Sequence, residues 1–205
     1  MVQKKESGDT ARPRGRPRAY EPAVALQRAM QAFWLKGYAG TSVDDLCEAT
    51  GLNKPSLYAG LGDKHSLYLR ALDAYLAQVG AGLTSALADP GLSLSESLDR
   101  VILQAVDLYE GGRGCFVVST TPTVAWDDVA VRDRVARALT AQDAALAARF
   151  SQARQASQWQ GQADPWVLGG LVSALLHSLS LRARAGSSRQ ELLDWARQSL
   201  RALLA

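Results

Sequence analysis

An all-α fold of about nine helices is predicted for this 205-residue chain, and three features of the sequence predict it. Apolar residues recur with the 3.6-residue period of a helix along most of the chain. Capping residues and glycines mark the ends of these segments, whereas no alternating strand pattern and no internal repeat is visible. Hydrophobic residues make up 47% and charged residues 21%, as in ordinary globular proteins.

The first three predicted helices are closely spaced. Pro22 suits the first position of a helix that has one apolar stripe and ends at Gly37. Ser42 is a good N-cap for a second helix, and Gly51 is its C-terminal stop. Asn53 then caps a third helix of about two turns.

The rest of the chain is also predicted to be helical, apart from one segment. The β-branched stretch over 111–124 favours a break followed by a short helix or an irregular segment. The other predicted helices cover 63–88, 93–110, 127–160, 165–185 and 188–204.

Positive charge is concentrated at the amino terminus. The chain has a formal net charge of +3, and residues 1–20 hold six basic against two acidic residues, a net charge of +4. The remainder therefore carries −1. This basic arm, residues 1–19, is polar and broken by proline, so we expect it to be disordered and to bind a polyanion.

Composition argues against several function classes. The polar start lacks the apolar core of a secretory signal, and no run of about eighteen apolar residues predicts a membrane span. Cys47, Cys115, His65 and His177 fit no ligand spacing, so we expect reduced thiols, no metal and no cofactor. Reduced thiols are typical of a cytoplasmic protein, and we expect this location. With no nucleophile–base pair and no phosphate loop, we expect that the protein is not an enzyme.

The helices joined by "ATGLN" (49–53) form a helix-turn-helix candidate. Gly51 allows the sharp reversal that the turn requires, and the second helix begins with small polar residues. Such a helix would enter a major groove with its N-terminus first. The alternative is a core hairpin with a solvated face.

The stretch "FWLKGYAGTSVDDLCEATGLNKPSLYAGLGDKHSLYLRAL" (33–72) resembles the N-terminal domain of the TetR family of transcriptional regulators. The resemblance implies a helix-turn-helix DNA-binding domain over 20–66 and a larger ligand-binding and dimerisation domain over 67–205. "RGCFVV" (113–118) is similar to the subset of that family with a Gly-Cys pair opening helix 6.

The resemblance also implies roles in DNA binding. Phosphate contacts are expected for Thr41, Ser42, Tyr58 and Lys64, and major-groove contacts for Asn53, Lys54, Pro55 and Ser56. The chain departs from the family where an aromatic residue, His and Phe usually follow Leu-Tyr, because it has Ala59, Gly60 and Leu61. Two common DNA-contacting side chains are therefore missing, and we expect fewer contacts from this helix.

The arm segment "PRGRP" (13–17) resembles the core of an AT-hook. Gly15 would let the backbone lie deep in a groove, while the flanking prolines keep the chain extended and point Arg14 and Arg16 inward. Arg18 adds a further charge. A narrow A·T minor groove favours inserted arginine. The alternative is a solvated basic tail that adds only non-specific attraction.

In the larger domain, the resemblance implies a homodimer formed by the last two helices. The expected interface residues are Val167, Leu168, Leu171, Val172, Leu175, Leu179, Leu192, Ala196 and Leu200; the alternative is a wholly intramolecular core. A pocket for an unidentified small apolar or aromatic effector is also implied. Its candidate contacts are Tyr75, Tyr109, Phe116, Thr120, Trp126 and Trp159; for each residue alone plain core packing is the simpler interpretation, and only together do they indicate a pocket. Cys115 is a possible sensor thiol or, alternatively, a packing residue.

Together these features predict a ligand-responsive repressor that binds a palindromic double-stranded DNA operator as a dimer and is released by its effector. The alternative is a non-specific, A·T-preferring DNA-binding protein driven by the basic arm.

Overall fold

A computed structural model describes residues 20–205 of the chain, and the predicted basic arm with its AT-hook-like segment lies outside the described residues. Within residues 20–205 the chain is helical and contains no strand, which confirms the predicted fold class. The helices are α1 (Pro22–Gly40), α2 (Val43–Thr50), α3 (Lys54–Leu61), α4 (Lys64–Ala88), α5 (Leu94–Leu108), α6 (Phe116–Thr120), α7 (Val129–Gln155), α8 (Pro165–Arg184) and α9 (Arg189–Leu204).

The helix ends follow the capping signals in the sequence. Ser42, Ser93 and Ser188 each accept a hydrogen bond from the backbone N–H three residues later, and the acidic residue there bonds back to the cap. Gly51 ends α2 with φ 72°, a left-handed conformation in which a side chain would be strained, and so makes the turn into α3.

Two predicted boundaries differ from the structure. α1 was expected to stop at Gly37, but helical turns resume after a break at Gly37 and continue to Gly40. α7 was expected over 127–160 but spans only Val129–Gln155. It is shorter because turns occupy the chain before Asp128, which caps the helix, and because the backbone reverses just beyond its C-terminal end.

Two hydrophobic cores organise the described chain. The first joins α1, α2, α3 and the first half of α4, and it includes Phe116 of α6 and Val131 of α7. The second joins α5, α7, α8 and α9. The long helix α4 contributes Leu72 to the first core and Leu87 to the second, so it links the helix-turn-helix domain to the larger helical domain.

The helix α8 is unusually apolar. Its most apolar 18-residue window has a mean hydropathy of 1.3, so by length and composition alone it resembles a membrane-spanning helix. Half of that window is buried within the protein, where Leu168, Val172 and Leu179 pack into the second core. α8 is therefore a core helix whose opposite face is also apolar.

Candidate DNA-binding surface and effector cavity

The helix α3 is held on the first core by one side and exposed on the other. Leu57 and Leu61 are buried, whereas Lys54, Pro55 and Tyr58 are exposed. Tyr58 has 47% of its surface accessible, which leaves its hydroxyl free to meet a partner. This geometry places the predicted base-reading residues on an accessible helix face.

The N-cap of α3 is built by Asn53. Its side-chain oxygen accepts a hydrogen bond from the Ser56 N–H at 2.9 Å, which satisfies one of the free donors at the helix start. Capping uses the oxygen of the Asn53 amide and leaves its NH₂ group to donate elsewhere. An NH₂ donor at this position suits an acceptor on a base edge.

The basic side chains around α3 are largely engaged within the protein. The Lys54 ammonium lies 2.9 Å from Asp44, and the Lys36 ammonium lies 2.6 Å from Asp45. Hydrogen bonds to these carboxylates raise the pKa of both lysines. Lys64 lies over the ring of Tyr38, 4.5 Å from its centroid. This surface therefore presents little uncompensated positive charge.

Thr41 and Ser42 are not equally available to a phosphate. Contrary to expectation, the Thr41 side chain is fully buried, and its hydroxyl donates to the Gly37 carbonyl at 2.6 Å. Its position in the bend after α1 turns it inward. Ser42 is exposed, but its N–H donates to the Asp45 carboxylate at 2.7 Å. The Lys36 hydrogen bond and the Ser42 contacts hold the pKa of Asp45 well below its usual range, so that carboxylate is ionised.

A cavity of about 670 Å³ lies between α4, α5, α7 and α8. This volume falls within the range typical of small-molecule sites. Its lining is mainly apolar, and it includes the predicted contacts Tyr75 and Tyr109 together with Cys115. Polar or charged side chains also line it; they are Asp73, Gln78, Thr84, Gln104, Arg134, Arg137, Gln142 and His177.

One wall of the cavity holds a buried polar cluster. The Tyr75 hydroxyl donates to the Cys115 sulfur at 3.2 Å, and the Cys115 N–H donates to the Ser180 hydroxyl at 2.7 Å. Burial raises the pKa of Tyr75 and of Tyr109 far above their usual value, so both phenols stay neutral and act as hydrogen-bond donors.

Three charged side chains line the cavity: Asp73, Arg134 and Arg137. Arg134 binds the Asp73 carboxylate through two nitrogens, at 2.7 and 3.3 Å. Burial lowers the pKa of His177, so its imidazole is neutral at pH 7. The cavity therefore suits a largely apolar molecule with hydrogen-bonding groups, and its one carboxylate and two guanidiniums give the wall a small positive charge.

Known proteins share this architecture. Residues 25–71 match the family model described as "Bacterial regulatory proteins, tetR family". Over 91% of this chain and 99% of the other, the fold matches a cysteine mutant of the TetR family transcriptional regulator CifR, complexed with 26-base-pair double-strand operator DNA. The TM-score is 0.82 and the sequence identity is 32%. The chain belongs to the TetR family.

Two relatives come from Escherichia coli K12. The HTH-type transcriptional repressor ComR is 27% identical over 191 residues, which cover 92% of this chain and 91% of ComR. The HTH-type transcriptional repressor BdcR is 29% identical over 192 residues, which cover 94% of this chain and 91% of BdcR. These relatives are transcriptional regulators rather than enzymes, and this TetR-family chain is a DNA-binding regulator.

Four predicted effector contacts of this TetR-family protein lie outside the cavity. Phe116 is fully buried in the first core, and the Thr120 hydroxyl bonds to the Tyr68 hydroxyl at 2.8 Å. Trp126 lies in the turn before α7 and is 83% exposed. Trp159 packs in the second core and donates its indole N–H to the Leu204 carbonyl at 3.2 Å.

Sequence reasoning missed most of the cavity wall. The unpredicted lining residues include Val79, Leu83, Gln104, Ala138, Gln142 and His177. Their positions depend on how four helices pack, which local periodicity does not encode. A histidine inside the apolar α8 was the one available signal, because a buried polar side chain is the informative exception in a core helix.

The predicted dimer residues divide into two groups. Val167 and Leu171 are 54% and 49% exposed on α8. The other seven are buried by the packing of this chain itself, which is the intramolecular side of the expected two-sided burial; they are Leu168, Val172, Leu175, Leu179, Leu192, Ala196 and Leu200. They face inward because α8 packs tightly between α7 and α9, which turns these positions toward the second core.

Proposed function

We propose that this protein is a cytoplasmic, ligand-responsive repressor that binds a palindromic operator as a homodimer and releases it when a small molecule fills the cavity. The observation that carries the proposal is that one side chain belongs both to the cavity and to the first core, which holds the helix-turn-helix. Tyr75 lines the cavity and also packs edge-on against Trp34 of α1, with ring centroids 5.2 Å apart.

DNA recognition is assigned to the exposed face of α3. Asn53, Lys54, Pro55 and Ser56 read the major groove, while the Tyr58 hydroxyl binds a backbone phosphate. Ser42 and Lys64 are the remaining phosphate contacts. To contact DNA, Lys54 must give up its ion pair with Asp44. The ion pair that is lost offsets part of the contact that is gained, so Lys54 adds only modestly to the affinity for DNA.

Dimerisation is assigned to the exposed stripe of α8. Val167, Leu171, Ala174 and Leu181 follow one another at helical spacing on the side turned away from the protein core. An exposed apolar stripe on a regular helix is typical of an interface between two copies. A two-fold dimer would present two copies of α3 to half-sites about one DNA turn, roughly 34 Å, apart.

The effector is a small apolar or aromatic molecule with hydrogen-bonding groups. Its binding would displace Tyr75, and the contact with Trp34 would pass that movement to α1. A repressor needs only about 1–3 kcal/mol of coupling to be released over the usual range of effector concentrations.

Filling the cavity tests this assignment. We expect Ala138→Trp, which projects an indole into the cavity, to keep operator binding but abolish release by any hit from a library of small aromatic compounds. The measurement is fluorescence anisotropy of labelled operator during compound titration. Ala136→Trp, on the exposed side of the same helix, is the matched control and should respond as the wild type does. Normal release from Ala138→Trp would place the effector elsewhere.

A sensing role for Cys115 is a second part of the proposal, as is the likeness of 113–118 to the Gly-Cys subset. Cys115 lines the cavity, and its sulfur accepts a hydrogen bond from the Tyr75 hydroxyl at 3.2 Å, so a reagent that fills the cavity meets this thiol. We expect N-ethylmaleimide to release operator from the wild type and from Cys47→Ser, but not from Cys115→Ser. Release from Cys115→Ser at the wild-type rate would assign that residue to packing alone.

A second candidate function, non-specific A·T-preferring binding, is favoured by charge. Residues 20–66 hold four basic and five acidic residues, a net charge of −1, whereas residues 1–19 carry +4. Because non-specific affinity comes from neutralising phosphates, the arm would dominate such binding. Competition between an operator duplex and a random A·T-rich duplex separates the two candidates.

A further inference from the structure

We propose that the effector carries one negatively charged group, such as a carboxylate, on its apolar or aromatic body, and that Arg137 of α7 binds this group at the edge of the cavity. The inference rests on the function proposed above and narrows the chemical class of the effector. It makes Arg137 the residue that selects an acid over a neutral molecule of the same shape.

One helix supplies both guanidiniums of the cavity wall. Arg134 and Arg137 line the cavity from α7, and their spacing of three residues places them side by side on one face of the helix. Farther along this face the lining includes the small side chains of Ala138, Ala141 and Ala145. The wall that α7 forms is therefore cationic toward the N-terminal end of the helix and largely apolar beyond it.

The two guanidiniums differ in what they already bind. Arg134 is engaged, because its Nε and Nη2 donate to the Asp73 carboxylate at 2.7 and 3.3 Å and its Nη1 donates to the Ala130 carbonyl at 3.0 Å. Arg137 makes no ion pair and no side-chain hydrogen bond with any of residues 20–205. Its planar guanidinium is free to bind a carboxylate through two parallel hydrogen bonds.

The charges of the lining favour an anion over a cation. Among the described residues that line the cavity, Asp73 alone carries a carboxylate, and Arg134 already neutralises it. A cationic ligand would therefore meet no unpaired carboxylate, whereas an anionic ligand meets Arg137. The imidazole of His177 adds no charge at pH 7, because burial lowers its pKa.

Exposure sets the orientation of the ligand. Arg137 and Asp73 are exposed, whereas Tyr75, Tyr109 and Leu176, which also line the cavity, are buried. A charged group loses least free energy where it stays partly hydrated, and an apolar body gains most where it leaves water. The charged group of the effector therefore lies at Arg137, and its body extends toward Tyr75 and Tyr109.

Displacement of a fluorescent dye by two matched compounds tests the inference. N-phenyl-α-naphthylamine, a neutral dye whose fluorescence rises in apolar sites, reports occupancy of the cavity in the full-length protein. The competitors are α-naphthaleneacetate and α-naphthaleneacetamide, which share one ring system and differ in charge. We expect the acid to displace the dye at a concentration about tenfold lower than the amide, the scale of one charge-assisted hydrogen bond.

Substitutions identify the group that produces this difference. Arg137→Gln should remove the advantage of the acid, and Arg137→Lys should retain most of it because the charge is kept. Asp73→Asn should increase the advantage, because Arg134 then has no carboxylate to neutralise it. Arg132→Gln is the matched control, since Arg132 is exposed on the same helix and does not line the cavity. It should keep the wild-type ratio.

The outcomes separate the inference from the function on which it rests. Equal displacement by the acid and the amide, or an advantage that survives Arg137→Gln, overturns the inference and leaves the cavity as the effector site. If the wild type binds neither the dye nor either competitor, the inference and the proposed effector site are both wrong. If the acid binds through Arg137 but does not weaken operator binding in fluorescence anisotropy, the ligand class is supported and the proposed release mechanism is wrong.

Discussion

In the proposed homodimer, Leu171→Arg should leave only monomers and weaken operator binding about 100-fold or more, since linked half-site binding gains factors of about 10² to 10⁴. Leu171 lies at the middle of the exposed apolar stripe of α8. Two copies related by a two-fold axis would bring their arginines close together, and burying unpaired like charges strongly opposes association. Sedimentation velocity gives the mass, and anisotropy gives the affinity.

Leu35→Arg is the control for the change in mass. Leu35 is 69% exposed on α1, so it undergoes the same substitution at a surface leucine outside α8. It should leave the mass of the wild type unchanged. A Leu171→Arg protein that stays dimeric at micromolar concentration would remove α8 from the interface and leave the spacing of the two recognition helices unexplained.

Phe116→Ala should lower the free energy of unfolding by about 3–5 kcal/mol, as is usual for a fully buried phenylalanine. Its ring lies 5.7 Å from Trp34, 6.0 Å from Tyr68 and 5.4 Å from Tyr75, between centroids. These side chains come from α1 and α4, so Phe116 fastens α6 to the DNA-binding domain. Urea denaturation followed by circular dichroism measures the decrease.

Trp126→Ala supplies the contrast, because both residues were candidate effector contacts on sequence grounds. An aromatic side chain that is 83% exposed should change the free energy of unfolding by no more than about 0.5 kcal/mol. Equal decreases in the two variants would mean that the turn before α7 packs more tightly than the structure indicates.

The fold could be predicted because its signals are local. The capping boxes at Ser42, Ser93 and Ser188 fix helix starts within a few residues of sequence, and Gly51 encodes the turn of the helix-turn-helix in its own backbone preference. The end of α1 was less predictable, since the chain resumes helical turns after Gly37.

The site was only partly predictable because it depends on packing between distant segments. Tyr75 and Tyr109 line the cavity, but nothing in their local sequence separates them from Phe116 or Trp159, which are equally aromatic and pack in the two cores. Burial of Thr41 and the approach of Tyr20 to Gly60 likewise arise from tertiary packing. No periodicity in the sequence marks them.

Sequence-selective binding by a dimer is the central claim, and selection from sheared genomic DNA tests it most directly. Purified full-length protein is mixed with the fragments at about physiological salt, and the retained fragments are sequenced. We predict one sharply defined palindromic site, with half-sites about one helical turn apart and A·T-rich flanks. A diffuse A·T-rich signal without a palindrome would contradict the account, since it would mean that the arm binds and α3 reads little.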